Sequence, residues 1–197
     1  MNQIKTLSIL SSVILFFTAC GIRGQLAGND GAGSQRPGNS LIQSEMRDSM
    51  AGNYHGADLK GVRFAGSMLY GKDLSGADCS NSDFSGSDLR NADMRGCNLT
   101  SANISGSDLR GAKLSGCMMN GTDFTRANLQ GADLRSSTMD RTVFASANLR
   151  GADLSFSTIK SADFTDSDCS GATVSKNSKT MLELQGVRGR SEIVWVE

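Results

Sequence analysis

Proline, tryptophan, tyrosine and histidine are almost missing from this sequence, and so is any excess of charge. Its 197 residues include one Pro, one Trp, two Tyr and one His, and 20 Lys and Arg are balanced by 20 Asp and Glu. A chain without net charge projects no long-range field to gather an anionic polymer, so nucleic acid is not an expected partner. There is no CxxC pair, and with a single His the ligand spacing of a zinc site is lacking. A nucleophile elbow, a phosphate-cradling glycine loop and clustered carboxylates in the context of a cleft are lacking too. Neither catalysis nor a cofactor is therefore expected. The apolar run from Leu7 to Phe17 is interrupted by Ser8, Ser11 and Ser12 and is too short to span a bilayer.

Abundant glycine, 23 residues, points to a repetitive and tightly packed chain. From Ala57 to Lys176 the sequence divides into 24 consecutive five-residue units without insertion or deletion, reading small, Asx, apolar, polar, Gly. Every unit centre, from Leu59 to Val174, is apolar. The residue two before the centre is Ala, Ser, Thr or Cys in 22 of the 24, with Val62 and Lys72 as exceptions, the residue just before it is Asp or Asn in 16, and the last is Gly in 13.

A period of five matches neither the 3.6 of a helix nor the 2 of a flat strand, either of which would smear these centres over both faces. A stacked repeat, in which each unit buries its centre only against its neighbours, resolves the conflict. The number of units per turn is also readable. Five centres are Phe, namely Phe64, Phe84, Phe124, Phe144 and Phe164, and all share one 20-residue phase. Random placement would do this roughly once in two thousand trials. Four units therefore make one turn, and the 24 units make about six coils.

Runs such as Ala132-Asp133-Leu134, Ala152-Asp153-Leu154 and Ala127-Asn128-Leu129 resemble the pentapeptide-repeat family. The resemblance implies an all-β fold, a right-handed four-sided parallel β-helix with the centre and the small residue both pointing inward.

The N-terminus reads differently. Residues 1–19 have the charge (Lys5) and the short apolar core of a signal peptide. Phe17-Thr18-Ala19-Cys20-Gly21 resembles a bacterial lipobox, with Phe17 where Leu is usual. That resemblance implies a lipid anchor on Cys20 in the bacterial cell envelope, and Gly21 in place of Asp implies the outer membrane rather than the inner where one exists. Residues 20–50, rich in Gly, Ser, Asn and Gln, form a flexible tether. The β-helix is expected over 51–176, with Tyr54 as an extra centre in register. Residues 177–197 leave the register and are expected to cap the last coil, with a helical turn opening at Ser178, a turn over Gln185 to Arg190 and a short strand at Ile193 to Val196.

The outward positions carry the candidate site. Arg90, Arg110 and Arg150 fall in one row with Tyr70, and Arg95 and Arg135 in the adjacent row. They form either a basic stripe for an acidic partner such as a sulfated glycan, or a solvated face whose arginines pair with Asp88, Asp93, Asp108 and Asp133. A calcium ladder along Asp73, Asp93, Asp133 and Asp153 is interrupted by Lys113, so no metal is expected. Cys97 and Cys117 stack on neighbouring coils but with parallel side chains, which favours free thiols. Relatives of this kind often dimerise end to end, which makes Trp195 the expected contact of a homodimer.

The functional expectation is a non-catalytic, lipid-anchored scaffold for an unidentified protein or glycan. The family resemblance implies a second reading, a DNA mimic acting on a type II topoisomerase. That reading needs a strongly negative rod, whereas the 24 units carry 14 Asp against 13 Lys plus Arg.

Overall fold

The computed structural model describes residues 53–178 and 186–197. The expected signal segment, Cys20 and the expected tether lie outside the described residues, as does most of the helical turn expected after Ser178.

Each unit forms one side of a coil. The small residue and the centre face inward, and the Asx between them faces outward, as alternation along an extended backbone requires. The next two residues turn the corner, where the N–H of the following small residue donates to the carbonyl of the centre, as from Ala77 to Leu74 at 3.0 Å and from Ala132 to Leu129 at 3.0 Å. The residue closing the unit is left-handed, with φ 71 at Gly76 for example, as the third position of a type II turn demands.

Four such corners close a coil, and the next coil lies directly above it. Pairing is parallel with a constant offset of 20 residues, as in Asp73 with Asp93, Asp88 with Asp108 and Asp133 with Asp153. The backbone donors of each side alternate in direction along the axis: Leu74 N–H donates to Asp93 O at 2.7 Å, and Asp93 N–H donates to Lys72 O at 2.8 Å. The result is a right-handed four-sided parallel β-helix. Among the described residues, longer strands appear only in the last coils. β1 (Thr138–Asp140) pairs with β3 (Thr158–Lys160), and β2 (Asp153–Leu154) pairs with β4 (Thr173–Ser175). Thr stands at the Asx position in three of these four, and β-branched residues favour the extended backbone.

The axis is filled by side chains. Phe64 and Phe84 stack at 4.9 Å between ring centres, Phe124 and Phe144 at 5.1 Å, and Phe144 and Phe164 at 4.8 Å, with Ile104 bridging the two stacks. Tyr54 meets Phe64 edge-on and lies over the first coil, in register as expected. Ser, Thr and Cys substitute for Ala at small positions because backbone carbonyls satisfy them: Ser87 Oγ donates to Phe84 O at 2.6 Å, Thr142 Oγ1 to Met119 O at 2.6 Å, and Cys97 Sγ to Leu74 O at 2.9 Å. Among the described residues no buried side-chain N or O atom lacks a partner. Cys79, Cys97, Cys117 and Cys169 are buried and unbridged. Mutual hydrogen bonding with Cys97 and burial hold the Cys79 and Cys117 thiols far above their ordinary range, and burial pushes Cys169 up to about 11.

Ser178 ends a short 3-10 turn, Lys176–Ser178, and the helical turn expected to open there continues into residues outside the described ones. The C-terminus corrects the sequence reading in two ways. Val187 and Arg188 do not lie in a free turn but return to the 20-residue register, with Arg188 paired to Asp168 and its N–H donating to Ser167 O at 2.8 Å. The final strand, β5 (Val194–Val196), is laid in parallel on β4 with Trp195 opposite Val174, so the segment continues the stack instead of only covering it. The offset here is 21 residues, because a 3-10 turn at Arg190–Glu192 inserts one extra residue. Backbone donors and acceptors on the sixth coil demand partners, and a chain with no pentad pattern can still supply them.

Ala132 is 1% exposed, so Ala132→Leu should overfill the interior and cost about 1–3 kcal/mol or more in urea unfolding. An unshifted midpoint would contradict an inward small position. Gly189 has φ 68, and a Cβ there would stand 2.7 Å from the Ser170 backbone. Gly189→Ala should therefore lift β5 from β4, seen as a red shift of Trp195 emission and faster amide exchange at Val194–Val196.

Candidate functional site

With the axis filled, whatever this molecule recognises meets the outer rows. These rows are set by the Asx residue and the polar residue of each unit. The Asx side chain first serves its own corner: Asp73 Oδ1 accepts from Ser75 N–H at 2.9 Å, Asp78 from Ser80 at 3.0 Å and Asp123 from Thr125 at 2.8 Å. This Asx turn explains why the residue type recurs. Neighbouring coils are also linked through the row, as where Asn98 Nδ2 donates to Asp78 Oδ1 at 3.1 Å and Asn148 Nδ2 to Asn128 Oδ1 at 3.0 Å.

Arg90, Arg95, Arg110, Arg135 and Arg150 lie on these rows, and each is engaged. Arg90 donates to Asp88 through Nε and Nη2 at 2.8 and 2.6 Å. Arg95 binds Asp93 at 2.8 and 2.6 Å, and Arg135 binds Asp133 at 2.8 and 2.8 Å. Arg110 adds the same fork on Asp108, 2.9 and 2.7 Å. Arg150 follows a different route, reaching up one coil to Asp168 Oδ2 at 3.3 Å. Arg90 also lies 3.8 Å from Asp108, Arg135 lies 3.8 Å from Asp153, and Lys113 lies 3.8 Å from Asp93. The rows are therefore ladders of alternating charge rather than a bare basic stripe. Tyr70 is exposed at the base of its row, with the Arg90 guanidinium 5.4 Å from its ring centre.

These contacts act back on the carboxylates. Hydrogen bonding from the paired guanidinium holds Asp88, Asp93, Asp108 and Asp133 below the ordinary Asp range. Trp195 is half-buried on the last rung and packs against the core. Cys20 lies outside the described residues. Among the described residues no group of three or more His, Cys, Asp or Glu is arranged to hold a metal, and no helix is long and apolar enough to cross a membrane.

Some surface features escaped the sequence reading. Met68, Met118 and Phe156 are large exposed hydrophobic residues, 77%, 47% and 69% exposed. The signal was available: Met68 and Met118 stand where the unit calls for Asx, and Phe156 stands where it calls for Gly. Each departs from the pattern at an outward position and so could not be core.

Comparison with known proteins agrees with this architecture. The family model described as pentapeptide repeats matches in eight copies over residues 57–96, 77–116, 107–144, 127–166 and 144–176. Among solved structures, a pentapeptide repeat protein from the Arabidopsis thaliana thylakoid lumen is 24% identical over 71% of this chain and 84% of its own, with a TM-score of 0.52. HetL, a pentapeptide repeat protein involved in heterocyst differentiation regulation in the cyanobacterium Nostoc sp., is 27% identical over 66% of this chain and 64% of its own, with a TM-score of 0.41. QnrB1, a plasmid-mediated fluoroquinolone resistance protein, is 20% identical over 62% and 74%, with a TM-score of 0.39. No curated protein matches.

The depressed carboxylates set a pH dependence. A group whose folded pKa lies below its unfolded value stabilises the fold above the unfolded pKa, and that contribution is lost as pH falls through the folded pKa. Stability from Asp88, Asp93, Asp108 and Asp133 should therefore be level from neutral pH to about pH 5 and decline below the ordinary Asp range of about 3.9. In Arg135→Gln, the Asp133 titration followed by carboxyl NMR should move up toward that ordinary range. An unmoved midpoint would contradict the pairing.

Proposed function

This chain belongs to the pentapeptide-repeat family, and on that premise we propose that it is a non-catalytic scaffold, anchored by lipid on Cys20 in the bacterial cell envelope, that offers its outer faces to a protein or glycan. The observation that carries this reading is the filled axis. Side chains from all four sides meet at the centre, from Leu59 to Val174, so chemistry and recognition are left to rows that already satisfy most of their own hydrogen bonds. Such a body suits a rigid spacer or docking block better than an active site, which needs a concave, desolvated pocket.

The same rows weigh against a DNA mimic. A mimic of nucleic acid needs a run of unanswered negative charge, and here four Asp in the arginine rows are each forked by a guanidinium two residues away. The envelope reading rests on the lipobox-like Phe17 to Gly21 and on the tether behind it, which would hold a rigid rod clear of the bilayer. Gly21 favours the outer membrane over the inner. At the other end, β5 adds a last rung bearing Trp195, and a homodimer would form there by joining two stacks end to end.

Cells expressing the full chain should incorporate radioactive palmitate into it and carry it in the membrane fraction. Cys20→Ser should abolish the label and release the protein. Equal labelling of the Cys20→Ser protein would exclude this anchor.

A further inference from the structure

We propose that the corner recess beneath Phe156 is a binding site for a neutral hexopyranose glycan, with the Phe156 ring as its stacking plate. The recess is shallow, about 390 Å³, and is lined by Ser115, Gly116, Arg135, Ser136 and Phe156.

Phe156 is misplaced for folding on two counts. Its backbone is left-handed, φ 60, a conformation that a bulky side chain adopts only at a cost, and its ring is 69% exposed. The positions below it on the same corner are Gly56, Gly76, Gly96 and Gly116, followed by Ser136. Glycine or serine would therefore serve the fold at this place, and an exposed phenylalanine serves something outside it. Its backbone is held rather than loose, since Phe156 N–H donates to Ser175 Oγ at 2.8 Å.

The rest of the lining defines the partner. Gly116 has no side chain, and no heavy atom lies within 4 Å of where its Cβ would be, which leaves its part of the recess open. Arg135 is fixed by two hydrogen bonds to Asp133 and lies 3.8 Å from Asp153. Two of its five N–H donors are used in that fork, and the rest remain to meet an acceptor. Its charge, however, is already answered. A phosphate or sulfate would face Asp133 and Asp153 with no spare cation, so the recess selects against anions. An aromatic plate, two hydroxyls and fixed, charge-neutralised donors match a ring with one C–H face and a rim of hydroxyls. This narrows the scaffold reading to one class of partner and rests on it in that respect, but it does not depend on the anchor at Cys20.

Saturation-transfer NMR on the full chain with chitotetraose tests the site, independently of palmitate labelling, which tests the anchor. Transfer to the sugar ring protons is expected, falling at least tenfold in Phe156→Gly, persisting in Phe156→Trp, and undisturbed by a heparin tetrasaccharide. Phe156→Gly should melt at or above the wild-type temperature, because it relieves the left-handed backbone. Absence of transfer, equal transfer in Phe156→Gly, its loss in Phe156→Trp, displacement by heparin, or a lowered melting temperature in Phe156→Gly would each overturn the proposal.

Discussion

The interaction on which the molecule depends is the closure of a backbone turn every five residues, with the N–H of each small residue returned to the carbonyl of the preceding centre. Because four closures bring the chain back over itself, each side of the repeat finds its partner 20 residues away, and the backbone groups not used at the corners point along the axis. No alternative register satisfies these groups. A shift by one residue would turn the centres outward and the Asx residues inward, burying charge and exposing Phe and Leu. The turn therefore sets the register, and the register sets the core.

The outward chemistry follows from the same closure. An Asp in the second position of a unit accepts from the N–H two residues on, so it is retained for the corner whatever the surface needs. An arginine placed after the centre then lies within reach of that carboxylate and is captured by it, as Arg90, Arg95, Arg110 and Arg135 are. Surface ion pairs of this kind add little stability individually. Their larger effect is to cancel the field of the rod, which leaves recognition to short-range contact.

The β-helix was legible because its signal is redundant: the centres, the small positions and the phenylalanine phase all give the same 20-residue turn. The arginine rows were legible as rows, and the pairing with Asp88, Asp93, Asp108 and Asp133 as one of two readings, because residues two apart across a corner have little freedom. Arg150 was not, since its own unit offers Asn148 and its partner, Asp168, lies one coil up. The last rung was hidden for a different reason. Its backbone groups are recruited by Thr173 to Ser175 without regard to side-chain pattern, and the extra residue at Arg190–Glu192 breaks the count of five on which the reading relied.

In a fold this repetitive, what serves folding and what serves function separate cleanly, because each position has many equivalents that show what folding alone requires. Lys72 at a small position is half-buried near the first coils, where few layers constrain it, and so it is tolerated without a further role. Thr138 and Thr158 at Asx positions lengthen the strands they occupy and so repay the lost Asx turn locally. Phe156 has neither excuse: it lies in a well-packed coil and belongs to no strand. Of the exposed apolar departures Met68, Met118 and Phe156, Phe156 alone combines exposure with a left-handed backbone and a place in the lining of a recess, which is why the corner at Phe156, and not the longer and more conspicuous arginine rows, is where this rod makes its specific contact.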